Sequence, residues 1–278
     1  MTGPGNNRTP PKRPSARQTE SLPERACRPP RQSYRLDMQH QMTFEISFKD
    51  PASHLIRRMR LHEAAAVAFT DVPPIRQPPS FRGQWSKPGR YWFEKTRRHI
   101  VYESGLERLT LTLLDFDPLV SGVAGQPFAF HMTEPRRRYT PDFFVQLSSG
   151  GSRVVEVKAA RYLNEPKVRE VTEWASRACA SVGWDYVVTE QPEPAYLANV
   201  TWLAGFRRQP GDPLGLYEQT RRIFGTPKTI AEVEHEIGNS IFVRPLLFHM
   251  LWTHEITADL THPLSNETML SKAEVGDA

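Results

Sequence analysis

Apolar positions along the chain recur with two periods, and the switches between them outline the elements. Phe44, Ile46 and Phe48 alternate with polar residues, which predicts a half-buried strand. Over 53–69, Leu55, Met59 and Ala66 fall near helical spacing and Ser53 stands where an N-cap belongs, so a helix is predicted there. Residues 71–93 are punctuated by Pro and Gly and read as irregular, and 91–104 read as a hairpin or two short strands. Ser104 to Phe116 reads as a helix. Strands follow at 125–132, 137–147 and 152–160, the last two joined by a turn at Gly150–Gly151. The stretch 165–183 predicts another helix, with Pro166 near its start, Val168, Val171, Trp174 and Ala178 along one face, and Gly183 at its end. A strand at 184–190 completes the order helix, three strands, helix, strand. That order predicts an α/β (α+β) core, a mixed sheet flanked by helices.

Beyond residue 194 the pattern changes. Residues 214–225 predict a helix, and 229–252 predict two helices around a tight Gly238–Asn239 turn. Residues 255–272 read as a hairpin turning near Pro263–Asn266. Helix, helix–turn–helix and hairpin together predict a winged-helix-like domain over 195–278, after a core domain over 41–194. Residues 1–40 carry neither period. Seven prolines fall within the first 35 positions, and this composition predicts a disordered basic tail. Weak attachment to nucleic acid is one use for such a tail. A translation start at Met38 or Met42 is an alternative that would remove it.

Charge sharpens this division. The 278-residue chain has a net charge of +5. Residues 1–35 hold 8 Lys/Arg against 2 Asp/Glu, residues 36–211 hold 23 against 19, and residues 212–278 hold 5 against 10. A basic tail, a mildly basic core and an acidic end imply different partners for each part. No run approaches the roughly 18–20 apolar residues of a membrane span, and no secretory signal opens the chain. The two cysteines, Cys27 and Cys179, fit a reducing compartment and give no disulfide framework.

The candidate chemistry sits in two hydrophobic runs. Asp142 follows Pro141 in one; Glu156 and Lys158 lie two apart in the other, so they share a face. A hairpin joining the runs brings Asp142 near Glu156. Two close carboxylates repel each other and resist burial, and a divalent cation relieves both costs. Mg²⁺ is typically held by one or two carboxylates with water and phosphate oxygens. A lysine on that face can orient or help deprotonate an attacking water and stabilise developing phosphate charge. The plainer alternative is a surface ion pair, Lys158 neutralising Glu156 on a two-stranded ribbon.

The pattern TPDFF…VVEVK resembles the signature of the PD-(D/E)XK nuclease superfamily, which implies a restriction-endonuclease-like fold. The run ES.LER…LLDFDP.V…QPF, followed by YTPDFFV and VEVK, resembles the TnsA family, endonuclease subunits of heteromeric transposases. The resemblance covers roughly 75–190 well and 195–265 loosely. It implies that Asp142 and Glu156 bind Mg²⁺, for which Mn²⁺ substitutes, that Val157 adds a backbone carbonyl, and that Lys158 assists the attacking water. It implies a helix glutamate that binds a second metal or holds a water. Glu107 occupies that position, although Ser104-x-x-Glu107 is also a capping box in which Glu107 would reach the Ser104 amide. Glu103 reads as a strand-end residue, and Asp115 and Asp117 as turn formers.

The same resemblance implies Mg-dependent hydrolysis of phosphodiester bonds at the 5′ ends of a mobile element. The implied partners are double-stranded DNA at the element ends, a DDE-type transposase subunit, and an AAA+ ATPase regulator met by the C-terminal domain. The expected setting is the bacterial cytoplasm, at the nucleoid when acting, with no membrane. A restriction or repair nuclease and a non-catalytic DNA-binding adaptor are the alternatives. For phosphate contacts the candidates are Arg90, Arg97 and Arg98, within a basic stretch that interleaves Phe81, Trp85, Tyr91, Trp92 and Phe93, together with Arg136, Arg137 and Arg138. The aromatics of that stretch read as core. The second C-terminal helix offers only Arg244 and His249 among apolar residues, which disfavours groove insertion and favours protein binding.

Overall fold

The computed structural model describes residues 44–76, 87–132 and 136–273. The predicted tail, Cys27, Phe81, Arg82 and Trp85 lie outside the described residues. The chain opens with β1 (Glu45–Lys49), β2 (Ile56–Arg60) and the short α1 (Leu61–Ala64). The hairpin β3 (Gly89–Phe93) and β4 (Arg98–Tyr102) leads into α2 (Gly105–Phe116). Five strands follow: β5 (Val120–Gly125), β6 (Phe128–Met132), β7 (Arg137–Tyr139), β8 (Phe143–Leu147) and β9 (Ser152–Val157). Then come α3 (Pro166–Ala180), β10 (Asp185–Thr189) and α4 (Pro194–Leu203). The C-terminal elements are α5 (Leu216–Arg222), β11 (Lys228–Thr229), α6 (Ile230–Ile237), α7 (Ser240–Trp252), β12 (Ile256–Thr257) and β13 (Met269–Lys272).

Two four-stranded sheets form the core. The first, ordered β2-β1-β6-β7, is antiparallel throughout. The second, ordered β10-β9-β8-β5, is antiparallel except where β9 and β10 run parallel, joined by α3. The second sheet is buried on both faces, which is why its strands read as continuous apolar runs. On one face Phe144 and Val154 pack with Phe128 and Phe130 of the first sheet and Trp174 and Ala178 of α3. On the other, Phe143, Val145 and Val155 pack with Leu111 and Leu114 of α2 and with Tyr91, Phe93 and Ile100 of the β3–β4 hairpin.

Several expectations change. The helix predicted over 53–69 is instead strand β2 followed by a single helical turn. Asp50 Oδ1 accepts from the amides of Ala52 and Ser53 and from the Ser53 hydroxyl, closing a turn that sends β2 back along β1. Ser53 thus serves this turn rather than a helix cap. The one mixed sheet expected is two sheets. The strand predicted over 137–147 divides at Thr140–Pro141 between them, and β6 joins the first sheet. Its place beside β8 goes to β5, which the sequence did not announce because two glycines, a serine and an alanine dilute the two valines of VSGVAG. Its glycines have a purpose: a Cβ on Gly125 would lie 2.5 Å from the Val101 carbonyl oxygen of β4. Asp115 is no turn former. It lies within α2, 1% exposed, and its carboxylate accepts from the Tyr91 hydroxyl and the Glu94 amide. Asp117 does cap a turn, accepting from the Leu119 amide.

In the C-terminal part, α5, α6 and α7 surround a core that includes Val233, Val243, Leu247 and Leu270, beside a small sheet ordered β11-β13-β12. Helix α4, which the periodicity did not mark, adds Val200 and Leu203. Leu113 and Phe116 at the end of α2 belong to this core as well. Among the described residues no helix is long and apolar enough to cross a membrane.

Because backbone of β4 occupies the space beside Gly125, Gly125→Ala is expected to lower stability by about 1–3 kcal/mol, read as a shift in the urea midpoint with unchanged slope.

Candidate active site

The register of β8 and β9 pairs Phe143 with Val155 and Phe144 with Val154. One step further sets Asp142 opposite Glu156, at the end of a sheet held by apolar packing on both faces. The Asp142 carboxylate accepts from the Val157 amide at 2.8 Å. Its carbonyl accepts from the Gln126 amide at 2.9 Å, which ties it to the end of β5. Glu156 is 5% exposed. One of its oxygens accepts from the Tyr139 hydroxyl, and the other pairs with the Lys158 ammonium. Tyr139 in turn meets the Tyr186 hydroxyl at 3.1 Å. The ion pair between Glu156 and Lys158 is therefore present, but at a buried strand end beside a second carboxylate, not on an exposed ribbon.

Glu107 sits in the first turn of α2, 7% exposed. Its two oxygens accept from the Glu103 amide at 2.7 Å and the Ser104 hydroxyl at 2.8 Å, while Ser104 Oγ accepts from the Glu107 amide at 3.2 Å. The capping arrangement thus reaches the Glu103 amide, one residue before the expected Ser104 amide. Glu103 itself is held by Arg76 at 3.0 Å.

Electrostatics mark these groups as one cluster. Burial holds the Asp142 carboxyl well above the usual carboxylate range, and the charges of Glu156 and then Glu107 push it the same way. Burial also raises the Glu107 carboxyl, against the pull of its two hydrogen bonds. For Lys158 burial alone would favour the neutral amine, but Glu156, Asp142 and Glu107 together outweigh it and raise the ammonium's pKa. Crowding negative charge out of water is costly unless something positive is delivered to it. Among the described residues no three His, Cys, Asp or Glu side chains form a group able to hold an ion. The donor set is thus the two opposed carboxylates of Asp142 and Glu156, hard oxygen ligands of the kind that suit Mg²⁺.

The arginine candidates separate. All three arginines at 136–138 are exposed, and Arg137 also pairs with Glu170 of α3 at 2.9 Å. Arg98 is paired with Asp71. Arg90 and Arg97 are exposed and form no ion pair among the described residues. Lys95, in the same basic stretch, donates from its ammonium to the carbonyls of Asp117 and Val120. Tyr91 and Phe93 are core, as expected, while Trp92 lies under the Arg208 guanidinium.

Two neighbours escaped the sequence reading. Tyr139 looked like one more strand aromatic; only the pairing of β7 with β6 turns it towards Glu156. Gln126 has φ +49°, is 1% exposed, and finds no side-chain partner among the described residues. An unpaired buried amide on left-handed backbone beside a catalytic-type acid is a costly placement of the kind met at functional sites.

With this geometry in place, comparison with known families gives one result. Residues 117–191 match the family model described as TnsA-like endonuclease N terminal. No curated protein matches the chain. The matched stretch contains Asp142, Glu156 and Lys158 but not Glu107. Over these residues the chain is similar to TnsA-like endonucleases, and that similarity suggests an endonuclease.

A carboxyl whose pKa is raised by folding binds its proton more tightly in the native state, so the metal-free protein should lose stability as pH rises from the ordinary carboxylate range through the Asp142 pKa. Asp142→Asn removes that cost. Its thermal midpoint at pH 7 should exceed that of the parent, by about 2–4 °C for each kcal/mol relieved, and the difference should vanish in acid.

Proposed function

We propose that this chain is the Mg²⁺-dependent endonuclease subunit of a heteromeric transposase, hydrolysing phosphodiester bonds at the 5′ ends of a mobile element. The observation that carries the proposal is the opposed pair Asp142 and Glu156, with Lys158 beside them, inside the stretch that matches the TnsA-like nuclease family. Asp142 and Glu156 would hold the cation, Val157 would offer its carbonyl, and Mn²⁺ would substitute. When bound, the cation would supply Lewis-acid activation of the phosphate and of the attacking water. Lys158 carries a proton strengthened by three acids, which favours a charged donor that orients water and stabilises developing phosphate charge over a base. Glu107, with both oxygens already accepting, would hold a water at the edge of the site. Tyr139 would fix the carboxylate plane of Glu156.

Double-stranded DNA at the element ends would be the substrate, and a DDE-type transposase would cut the 3′ ends. We further propose that the C-terminal part is a winged helix used for protein contact, with an AAA+ ATPase regulator as its partner. The order α5, β11, α6, α7, β12, β13 supports the first half of that proposal. The second half is supported by an apolar groove of about 450 Å³ between α4 and α7, lined by Trp202, Phe206, Ile241, Pro245 and Phe248. Trp202 is 59% and Ile241 81% exposed. Arg244 is tied to Glu234 at 2.5 Å and to Asn266 at 2.8 Å, so it is not free to meet a phosphate.

The test is reconstitution of this chain with its transposase partner on element ends in Mg²⁺. Asp142→Ala and Glu156→Ala should each abolish 5′ cutting, a loss of at least a hundredfold, while 3′ cutting by the partner persists; undiminished 5′ cutting in both variants would refute the assignment. Ile241→Asp should leave basal 5′ cutting intact and remove stimulation by the regulator.

A further inference from the structure

We propose that the open face of the first sheet is a track for the DNA phosphate backbone, leading to the active site along β7. This rests on the nuclease function proposed above but concerns a surface separate from the catalytic groups. Strand geometry defines the face. Ile46 and Phe48 of β1, Met59 of β2, Phe128, Phe130 and Met132 of β6 and Tyr139 of β7 all pack inward. Side chains alternate along a strand, so Glu45, Ser47, Lys49, Arg58, Arg60, Ala129, His131 and Arg138 occupy the opposite face. The registers bring them together across strands: Ser47 lies opposite Arg58 and Ala129, Glu45 opposite Arg60 and His131, and His131 opposite Arg138. Four of these residues are Lys or Arg against one acid.

The arrangement gathers like charges where the fold gives little reason to do so. Arg58 is exposed and pairs with Glu45 at 2.5 Å. Lys49, Arg60 and Arg138 form no ion pair among the described residues. His131 shares a hydrogen bond with Ser47 Oγ at 2.9 Å and lies within electrostatic reach of both Arg58 and Arg138. Glu45 answers Arg58, and an anion over the face would answer Arg138. The floor between them is small and buried, Ser47 at 4% and Ala129 at 0% exposed, so the long basic side chains stand above a smooth base. Such a surface suits a row of phosphates rather than an apolar partner. Position adds to this. Arg138 precedes Asp142 by four residues, which span at most about 14 Å, or roughly four base pairs of duplex at 3.4 Å each. A backbone lying on this face would therefore reach, over the edge of β7, the end of β8 that carries Asp142. Tyr139, next to Arg138, points to the other side of the sheet and binds Glu156.

The experiment uses the full chain carrying Asp142→Ala, so that no DNA is cut, and fluorescence anisotropy on a labelled duplex of arbitrary sequence over a salt series. The test variant adds Lys49→Ala, Arg60→Ala and Arg138→Ala. Arg222→Ala, on the acidic C-terminal part, is the control. Loss of three phosphate contacts should weaken binding at least tenfold and reduce the slope of log K against log salt by about 2–3, at roughly 0.9 per contact. The control should match the parent. Since all three side chains lie on the open face, the thermal midpoint should not move; if it does, Arg138→Gln alone should still reduce the slope by about 1. Unchanged affinity and slope would overturn this face while leaving the nuclease assignment standing. A parent chain that binds no duplex at all would overturn both. Loss of transposase-subunit capture with duplex binding intact would make the surface a protein contact and overturn the proposal.

Discussion

Two carboxylates set opposite each other on neighbouring strands, with most of the water removed, are the constraint around which this protein is built. Left alone, the β8–β9 pair would not keep Asp142 and Glu156 together, because their mutual repulsion and the cost of burial both oppose it. The sheet keeps them there because it is packed on both faces. Phe144 and Val154 anchor one side against α3 and the first sheet, and Phe143 and Val155 anchor the other against α2 and the β3–β4 hairpin. Neighbouring donors offset part of the cost. A hydrogen bond to a charged group contributes about 1.5–3 kcal/mol, and Asp142 has one from the Val157 amide while Glu156 has one from Tyr139 and an ion pair with Lys158. The remainder shows in Asp142, whose carboxyl is held well above the usual carboxylate range.

The elements legible in the sequence were those in which local chemistry and tertiary role coincide. Ser104 caps α2, Pro166 opens α3, and Gly150 at φ +86° turns β8 into β9; each residue does locally what its type predicts. Asp142, Glu156 and Lys158 were legible for the same reason, since a charge inside a hydrophobic run is conspicuous. Residues 53–69 misled because exposed strand β2, carrying Arg57, Arg58 and Arg60, has no apolar alternation of its own; it is a strand because β1 pairs with it. β5 was invisible for the opposite reason. Its glycines weaken the strand signal of Val120 and Val123, yet Gly125 is what lets β4 approach the sheet. Tyr139 and Gln126 could not be found from sequence, because their importance comes from which sheet their neighbours join. The three arginines at 136–138 illustrate the same limit: all are exposed, and strand parity alone separates Arg137, paired with Glu170, from Arg138 on the opposite face of β7.

Helix α2 makes the two parts of the chain interdependent. Its first turn carries Glu107 beside Asp142, and its last turn buries Leu113 and Phe116 in the C-terminal core. The carbonyls freed at its end are answered from both sides. Lys95, in the β3–β4 hairpin turn, donates to the carbonyls of Asp117 and Val120, while His254 Nε2 donates to the Phe116 carbonyl at 2.6 Å and its ring packs on Phe116 with centroids 4.5 Å apart. His254 holds left-handed backbone, φ +59°, in doing so. Arg207 and Arg208, just beyond α4, lie over Tyr91 and Trp92 of the hairpin that backs the second sheet. Removing the C-terminal part would therefore expose Leu113 and Phe116 and strip a partner from the end of the helix that carries Glu107. A cut between β10 and α4 follows the sequence boundary but divides a shared core, so the candidate site and the C-terminal core must be treated as one packed unit joined through α2.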